Sequence, residues 1–255
     1  VCLDAIAALA RHVPDGSQLA LSSRGHPALR FGALRARGLA LEISPNELSM
    51  DEAEARQLLS AAGLDLADGE VAELTEHTEG WSAGLYLAAL SAKAGGTGMK
   101  GLTAFSGDDR FVADYLVSEL LSRLPRDELR FLTRTAVLES MSGPLCDAVL
   151  EEGGSAAMLE SLAGSNLFLV PLDRAREWYR YHHLFQELLR SELERVEPDL
   201  VPRLLARAAD WCEANGQPET AIGYAQAAGD VNRAAWLTVG NGPRVYQSGR
   251  VATAE

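Results

Sequence analysis

Lysine is almost missing from this 255-residue sequence, which contains only Lys93 and Lys100. A phosphate-binding P-loop requires the pattern G-x-x-x-x-G-K-[ST], in which backbone amides and the lysine hold the nucleotide phosphates. Neither lysine is followed by Ser or Thr, and the glycine-rich tract 95–101 is typical of a flexible link between domains. We therefore expect no nucleoside triphosphate hydrolysis by this stretch of chain alone.

Cysteine, long apolar runs and basic charge are also scarce. The three cysteines are widely spaced and form neither a disulfide framework nor a metal knuckle, which favours a reducing compartment. The apolar runs are far shorter than the roughly 20 residues of a membrane helix, and no secretory signal is recognisable. The formal net charge of −13 argues against broad affinity for nucleic acid or anionic membranes. These features predict a cytoplasmic protein with no membrane partner.

The remaining composition, 47% hydrophobic and 23% charged, is that of a soluble globular protein with one large or several small domains. Val1 is not Met, and the first residues already have the pattern of a helix. We therefore expect the chain to be a piece of a longer protein.

The N-terminal pattern predicts a small α/β segment. A helix over Leu3–His12 precedes two short apolar stretches, Gln18–Ser23 and Gly38–Ser44, which we interpret as strands of an incomplete parallel sheet. Arg24 follows the first of them, where ligands of open α/β sheets bind and where a guanidinium can grip a phosphate. The alternative for Arg24 is an exposed loop arginine.

From Ser49 onward the patterns are mostly helical. Three predicted helices come before the glycine-rich link, and a longer one follows it, with Asp108 or Asp109 as a plausible N-cap. The bounds are from Ser49 to Leu59, Asp68–Thr78, Ser82–Lys93 and Phe105–Leu124.

The next segment has the element order of a winged helix: three helices, a hairpin and a helix. The predicted helices are Pro125–Thr135, Pro144–Leu150 and Ala156–Ala163, with strands Leu167–Leu172 and Trp178–His182 before a helix that runs to about Glu194. Two further helices, Val201–Asn215 and Pro218–Ala228, carry small residues at close-packing positions. They predict the start of a TPR-like α-solenoid of roughly 34-residue helix pairs.

The winged helix does not have the composition of a DNA reader. Its expected recognition helix, Ser155–Ser165, contains no Lys, Arg, Asn or Gln with which to contact base edges or phosphates. Residues 144–198 hold five basic and ten acidic side chains, a net of −5. We expect this module to pack against other domains.

Two adjacent histidines, His182 and His183, stand where the second hairpin strand becomes a helix. At such a junction they can contact an anion or nucleotide, or simply cap the helix. His183 and Glu187 have the i,i+4 spacing of a metal-ligand pair, but no third ligand is near in sequence, so we expect a helix-surface pair. No catalytic or metal-ligating residue is predicted.

Several long motifs in order resemble the MalT-type regulators, which are large LuxR-family, ATP-dependent transcriptional activators of the STAND class of signalling ATPases. The resemblance spans about residues 1–237. Its motifs are TEGWSAGLYLAAL (Thr78–Leu90), FSGDDRFVADYLVSELLSRLP (Phe105–Pro125), SGPLCDAVL (Ser142–Leu150), NLFLVPLD (Asn166–Asp173) and WYRYHHLFQELLRSEL (Trp178–Leu193).

The resemblance implies four domains. Residues 1–48 would be the C-terminal part of a nucleotide-binding α/β domain, 49–100 a small helical domain, 101–198 a winged-helix domain, and 199–255 the start of a helical-repeat sensor. The fold class is thus mostly α with a partial α/β N-terminal segment.

The resemblance also implies nucleotide-contacting positions. Arg24 would lie at the strand end that monitors the terminal phosphate, and His182 matches the winged-helix histidine that holds the ADP β-phosphate. Ser82 stands where relatives often carry a proline near the adenine, and His183 where many carry an acidic residue. ADP or ATP with Mg would bind the full-length protein, and neither is expected to bind this piece tightly.

The function implied is that of a central switch, which couples ADP/ATP state and inducer binding to self-association and transcription activation. The inducer, a small molecule or protein, would bind the helical repeat, and DNA would bind only a C-terminal domain outside this chain. In some relatives the output domain is a protein kinase or nucleotide cyclase. The alternative is a nucleotide-independent interaction scaffold built from winged helix and helical repeats.

Overall fold

The computed structural model describes residues 2–14, 16–23, 31–94, 105–165 and 168–247. Over these ranges the chain is mostly α-helical, with one small three-stranded sheet, which confirms the predicted predominantly helical class. None of the helices in these ranges is both long and apolar enough to cross a membrane.

The N-terminal part differs from the prediction. It contains α1 (Cys2–Arg11) and the short helices α2 (Gly32–Ala36) and α3 (Pro45–Leu48). The two predicted strands are wrong, because residues 17–23 and 39–44 are irregular and pair with no described strand. A β-strand needs a partner to satisfy its backbone N–H and C=O groups, and none of the described elements supplies one here.

A compact helical domain follows, made of α4 (Glu52–Ala61), α5 (Asp68–His77) and α6 (Ser82–Ala94). Asp51 begins α4 with a capping box, accepting the Glu54 N–H at 2.9 Å while Glu54 accepts from the Asp51 N–H. These three helices have the predicted bounds to within two or three residues.

The turn between α5 and α6 is tightly fixed. Gly80 has φ +70, and its carbonyl accepts the Met50 N–H at 2.8 Å. A Cβ at this position would lie 2.5 Å from the Met50 carbonyl oxygen, so only glycine fits. The turn therefore holds Thr78 and Glu79 in a defined place at the domain edge.

The long helix predicted over Phe105–Leu124 is shorter in the structure. α7 covers Arg110–Glu119 and is followed by a 3-10 turn, Leu121–Arg123. Asp109 is the N-cap and accepts the Phe111 N–H, which confirms one of the two predicted caps. The helix therefore begins after Asp109 and not at Phe105. Residues 105–109 instead form a turn that packs against the first part of the helix 183–196. The predicted link 95–101 lies outside the described residues.

The next elements follow the predicted winged-helix order. They are α8 (Arg126–Thr135), β1 (Met141–Ser142), α9 (Gly143–Leu150), α10 (Ser155–Gly164), β2 (Leu169–Pro171), β3 (Trp178–Tyr181) and α11 (His183–Val196). The sheet is antiparallel in the order β1-β3-β2, with Leu169 opposite Tyr181 and Met141 opposite Tyr179. Strand β1 was not predicted, since it has only two residues.

The last three helices of the described residues are α12 (Val201–Ala214), α13 (Pro218–Ala227) and α14 (Val231–Gln247). Four of the six alanines expected at close-packing positions are buried, namely Ala208, Ala209, Ala221 and Ala225, whereas Ala206 and Ala228 are partly buried. Helix α12 also packs on α9 of the winged helix. A single hydrophobic cluster runs from α4 through the winged helix to α14. The helical domain, winged helix and first helix pair therefore share one continuous core.

Candidate functional site

His182 lies between the helical domain and the winged helix. It is the N-cap of α11, only 8% exposed, and its Nε2 is 2.9 Å from the carbonyl oxygen of Thr78. A carbonyl oxygen only accepts hydrogen bonds, so Nε2 carries the proton of a neutral ring. The other nitrogen, Nδ1, is buried and has no hydrogen-bond partner among the described residues.

The surroundings of this ring are largely aromatic. Trp81 and Phe168 pack edge to face against it, with centroid distances of 6.0 and 5.4 Å. Burial lowers the pKa of His182 below its ordinary value, although the Glu79 carboxylate and the bond to Thr78 act in the opposite direction. In this conformation the imidazole is therefore neutral at physiological pH.

Glu79 joins the same two domains through a forked ion pair. Arg180 of β3 donates from Nη1 and Nη2 to the two carboxylate oxygens, both at 2.7 Å. The Glu79 and Arg180 side chains are 19% and 28% exposed, so the pair is shielded from water. Burial raises the pKa of Glu79, but the Arg180 guanidinium and its neighbours outweigh it and leave the pKa below its ordinary value. The carboxylate is charged.

His183 contacts the same carboxylate, but mainly through its backbone. Its N–H, at the start of α11, donates to Glu79 Oε1 at 3.0 Å, and its half-exposed ring places Nδ1 at 3.5 Å from that oxygen. Glu79 thus supplies, from another domain, the negative charge that favours a helix N-terminus.

Glu187 makes a second polar link. It accepts the Gly107 N–H at 2.7 Å through Oε2, and the same oxygen lies 3.3 Å from His77 Nε2 at the end of α5. The Glu187 carboxylate raises the pKa of His77, against the opposing effect of burial. His183 and Glu187 are both partly exposed on α11, as the interpretation of a helix-surface pair predicts. Each also contacts the helical domain, His183 through Glu79 and Glu187 through His77.

We call this group of contacts the seam. Three of the five histidines of the chain belong to it. No group of three or more His, Cys, Asp or Glu in the described ranges is arranged to hold a metal ion. The seam consists of His77, Thr78, Glu79, Arg180, His182, His183 and Glu187.

Sequence reasoning found His182 and His183, considered Glu187 only as the helix neighbour of His183, and missed the other four residues. The one local signal was the Glu79-Gly80 pair, since glycine directly after a helix marks a turn whose geometry is fixed. Arg180 and Glu79 are 101 residues apart, so no local pattern could join them.

The other two predicted nucleotide contacts are not brought to the seam by any described contact. Ser82 is exposed at the first position of α6, directly after Trp81, whose ring packs on His182. Arg24 lies outside the described residues.

Comparison with known proteins identifies the winged helix and extends over most of the chain. Residues 117–201 match the family described as MalT winged helix domain. The HTH-type transcriptional regulator MalT of Yersinia enterocolitica is 33% identical over 224 residues, which are 87% of this chain and 25% of that protein. MalT of Cronobacter sakazakii is 33% identical over 225 residues, with the same two shares.

A serine/threonine-protein kinase, PknK of Mycobacterium tuberculosis, is 35% identical over 218 residues, which are 85% of this chain and 20% of the kinase. The chain thus spans about a fifth to a quarter of the length of these relatives. The chain belongs to the MalT-type regulator family, and residues 117–201 are its winged helix domain.

Proposed function

We propose that this chain is the central nucleotide-sensing switch of a MalT-like, ATP-dependent transcriptional regulator. It would couple the ADP/ATP state and inducer binding to self-association and transcription activation. The observation that carries the proposal is His182, a buried side chain between two domains whose Nδ1 has no partner among the described residues. A buried polar atom of this kind requires an explanation, and a ligand atom in the full-length protein supplies one.

The donor chemistry suits a nucleotide phosphate. An imidazole in its charged form donates from both nitrogens, and histidine charge changes near physiological pH. His182 would hold the β-phosphate of ADP, with Arg24 at the terminal phosphate and Ser82 near the base. In the ADP state this contact would tie the winged helix to the nucleotide domain, and ATP with Mg, together with inducer, would release it.

Contacts between the winged helix and the first repeat helices support transmission toward a sensor. Arg207 of α12 donates to the Val149 carbonyl at 3.1 Å, and the buried Tyr224 hydroxyl of α13 accepts the Glu139 N–H at 3.1 Å. These bonds, added to a shared core, favour movement of the winged helix and α12–α13 as one unit. Inducer binding to the repeat could then act on the seam.

The regulatory activity itself, such as DNA binding, would reside in regions outside this chain. We propose a cytoplasmic full-length protein that self-associates and contacts DNA through a C-terminal domain, in line with the HTH-type name of its MalT relatives. The similarity to PknK indicates that a region of this kind can also stand in a protein kinase. The acidic winged helix makes DNA contact by this module itself unfavourable.

The proposal is tested in the full-length protein by its retention of ADP during gel filtration, compared between wild type and His182→Ala. We expect faster ADP loss from the variant. The matched control is His12→Ala, at an exposed histidine directly after α1, which should retain ADP like wild type. Unchanged ADP retention in His182→Ala would remove this histidine from the switch.

The alternative is a scaffold that never contacts nucleotide. The His182 ring packs against Trp81 and Phe168, which also contact each other, and this favours the scaffold because such a ring can serve packing alone. A full-length protein without a G-x-x-x-x-G-K-[ST] sequence upstream of this region, and without measurable ADP binding, would establish the scaffold instead.

A further inference from the structure

We propose that an anion docking at His182 brings one proton onto this side chain, so that nucleotide binding at the seam is coupled to proton uptake. The inference rests on the proposed function, because it takes a phosphate oxygen as the group that meets Nδ1. It goes further by stating the charge state in which His182 binds and the residues that fix it.

The first step is the hydrogen-bond inventory of the ring. Nε2 donates its proton to the Thr78 carbonyl at 2.9 Å, so the neutral ring has only a lone pair at Nδ1. A phosphate oxygen also offers only lone pairs, and two acceptors do not bond. The imidazolium form has N–H donors at both positions. It can keep the Thr78 bond and donate from Nδ1 to the phosphate, which creates a charge-assisted bond.

The second step concerns the charges around the ring. Three groups act on it from the elements packed against it: Glu79 in the α5–α6 turn, Arg180 on β3 and His183 on α11. Glu79 favours the charged imidazole, while Arg180, His183 and above all burial disfavour it. The facing rings, Trp81 and Phe168, carry no charge. Without an anion the neutral form therefore prevails, and an added phosphate charge shifts the balance toward the cation.

The third step identifies Thr78 and Glu79 as positioning residues. The Thr78 carbonyl selects the Nε2–H form and thereby turns Nδ1 into the free nitrogen. Its own place is fixed by the turn that ends α5, where Gly80 approaches the Met50 backbone too closely for a side chain. Glu79 holds Arg180 in a forked pair, which keeps that cation on the carboxylate.

The sign of the pH dependence follows from these steps. The pKa of His182 is lowered by burial without the anion, and the negative charge of a bound anion would raise it. Between the two pKa values the complex therefore binds an extra proton. In that window ADP affinity falls as pH rises, by up to about tenfold per pH unit for one proton. Below and above the window this coupling gives no slope.

The experiment is titration calorimetry of ADP into the full-length protein between pH 6 and 8.5, in pairs of buffers that differ in ionisation enthalpy. Wild type should show a buffer-dependent heat that corresponds to uptake of up to one proton. The test variant is His182→Asn, whose amide nitrogen replaces Nδ1 with a donor that does not titrate. It should lose this proton uptake, whereas His12→Asn should keep it. Protonation of ADP itself is common to all variants and cancels in the comparison.

A second variant guards against misfolding of the first. Glu79→Gln removes the charge that favours the imidazolium, so its proton uptake should begin at lower pH and its ADP affinity at pH 7.5 should fall several-fold.

The outcomes separate the two proposals. Weakened ADP binding in His182→Asn with no proton uptake in wild type would overturn the coupling and leave the switch intact. Proton uptake that persists in His182→Asn would also overturn it, by assigning the proton to another group. ADP binding that is identical in wild type and His182→Asn at every pH would overturn both.

Discussion

At the scale of single residues, the side-chain contacts of Glu79 in the seam offset the free-energy cost of its unfavourable backbone conformation. Its φ of +50 is a left-handed conformation that costs a non-glycine residue roughly 1–2 kcal/mol. The carboxylate makes two bonds to Arg180 and one to the His183 N–H, none of which glycine could make. The bonds made by the Glu79 side chain therefore compensate for a backbone conformation that glycine would adopt at lower cost.

The Glu79–Arg180 pair should be measurably coupled. In a double-mutant cycle of Glu79→Gln and Arg180→Gln, followed by urea unfolding at pH 7, we expect a coupling free energy of about 2 kcal/mol, because the pair is forked and shielded. The exposed pair Arg110–Asp114, with side chains 86% and 76% exposed, is the control and should give less than about 0.5 kcal/mol. Equal coupling in the two cycles would mean that water screens the seam pair as fully as a surface pair.

Gly107 is the other residue on which the seam depends. A Cβ there would lie 1.8 Å from the Leu184 carbonyl oxygen and 2.9 Å from the Leu188 nitrogen, so the turn 105–109 could not approach α11. We expect Gly107→Ala to lower the free energy of unfolding by about 3 kcal/mol. Gly153→Ala, where no atom lies within 4 Å of the added methyl, should change it little. A Gly107→Ala protein as stable as Gly153→Ala would contradict this close approach.

At the scale of elements, the sequence predicted features that depend on neighbouring residues alone, such as the approximate start of a helix. The predicted start of α4 at Ser49 lies two residues before its Asp51 cap, and α9 begins with a proline at its first turn, as the pattern indicated. The segments 18–23 and 38–44 were misjudged because a strand depends on partners that a local pattern does not contain. The contacts of Glu79 and Glu187 were missed for the same reason, since their partners are distant in sequence.

The link between α5 and α11 should depend on pH in a defined direction. The pKa of His77 is raised above 6.5 by Glu187, so the contribution of this pair to stability is complete below pH 6.5. It is lost as pH rises through the raised value. His77→Gln should therefore be less stable than wild type by on the order of 1 kcal/mol at pH 6, and equal to it at pH 9.

Urea unfolding of both proteins across this pH range measures the difference. The control His12→Gln, at an exposed position directly after α1, should have the same stability as wild type at every pH. Because the lowered pKa of His182 acts on stability in the opposite sense, only the difference between wild type and His77→Gln reports on His77. A difference that grows with pH would reverse the assigned direction.

At the scale of the whole molecule, the shared core and the N-terminal part differ in burial. The core from α4 to α14 includes fully buried leucines in every domain it crosses, among them Leu59, Leu132 and Leu237. Before α4, by contrast, large apolar side chains are exposed, among them Leu39 at 63%, Leu41 at 86% and Ile43 at 58%. Exposure of this kind is typical of a surface that lacks its packing partner.

This contrast predicts where protease will cut the chain first. Stretches 17–23 and 39–44 are irregular and contribute no residue to the core, so they can enter a protease without unfolding of the remainder. Under brief thermolysin treatment at neutral pH, we expect cleavage there at least tenfold faster than between α4 and α6, a difference of about 1.4 kcal/mol in opening free energy. Mass spectrometry of the products locates the cuts. First cuts within residues 52–94 would show that the helical domain opens more readily than the N-terminal part, against the distribution of buried side chains.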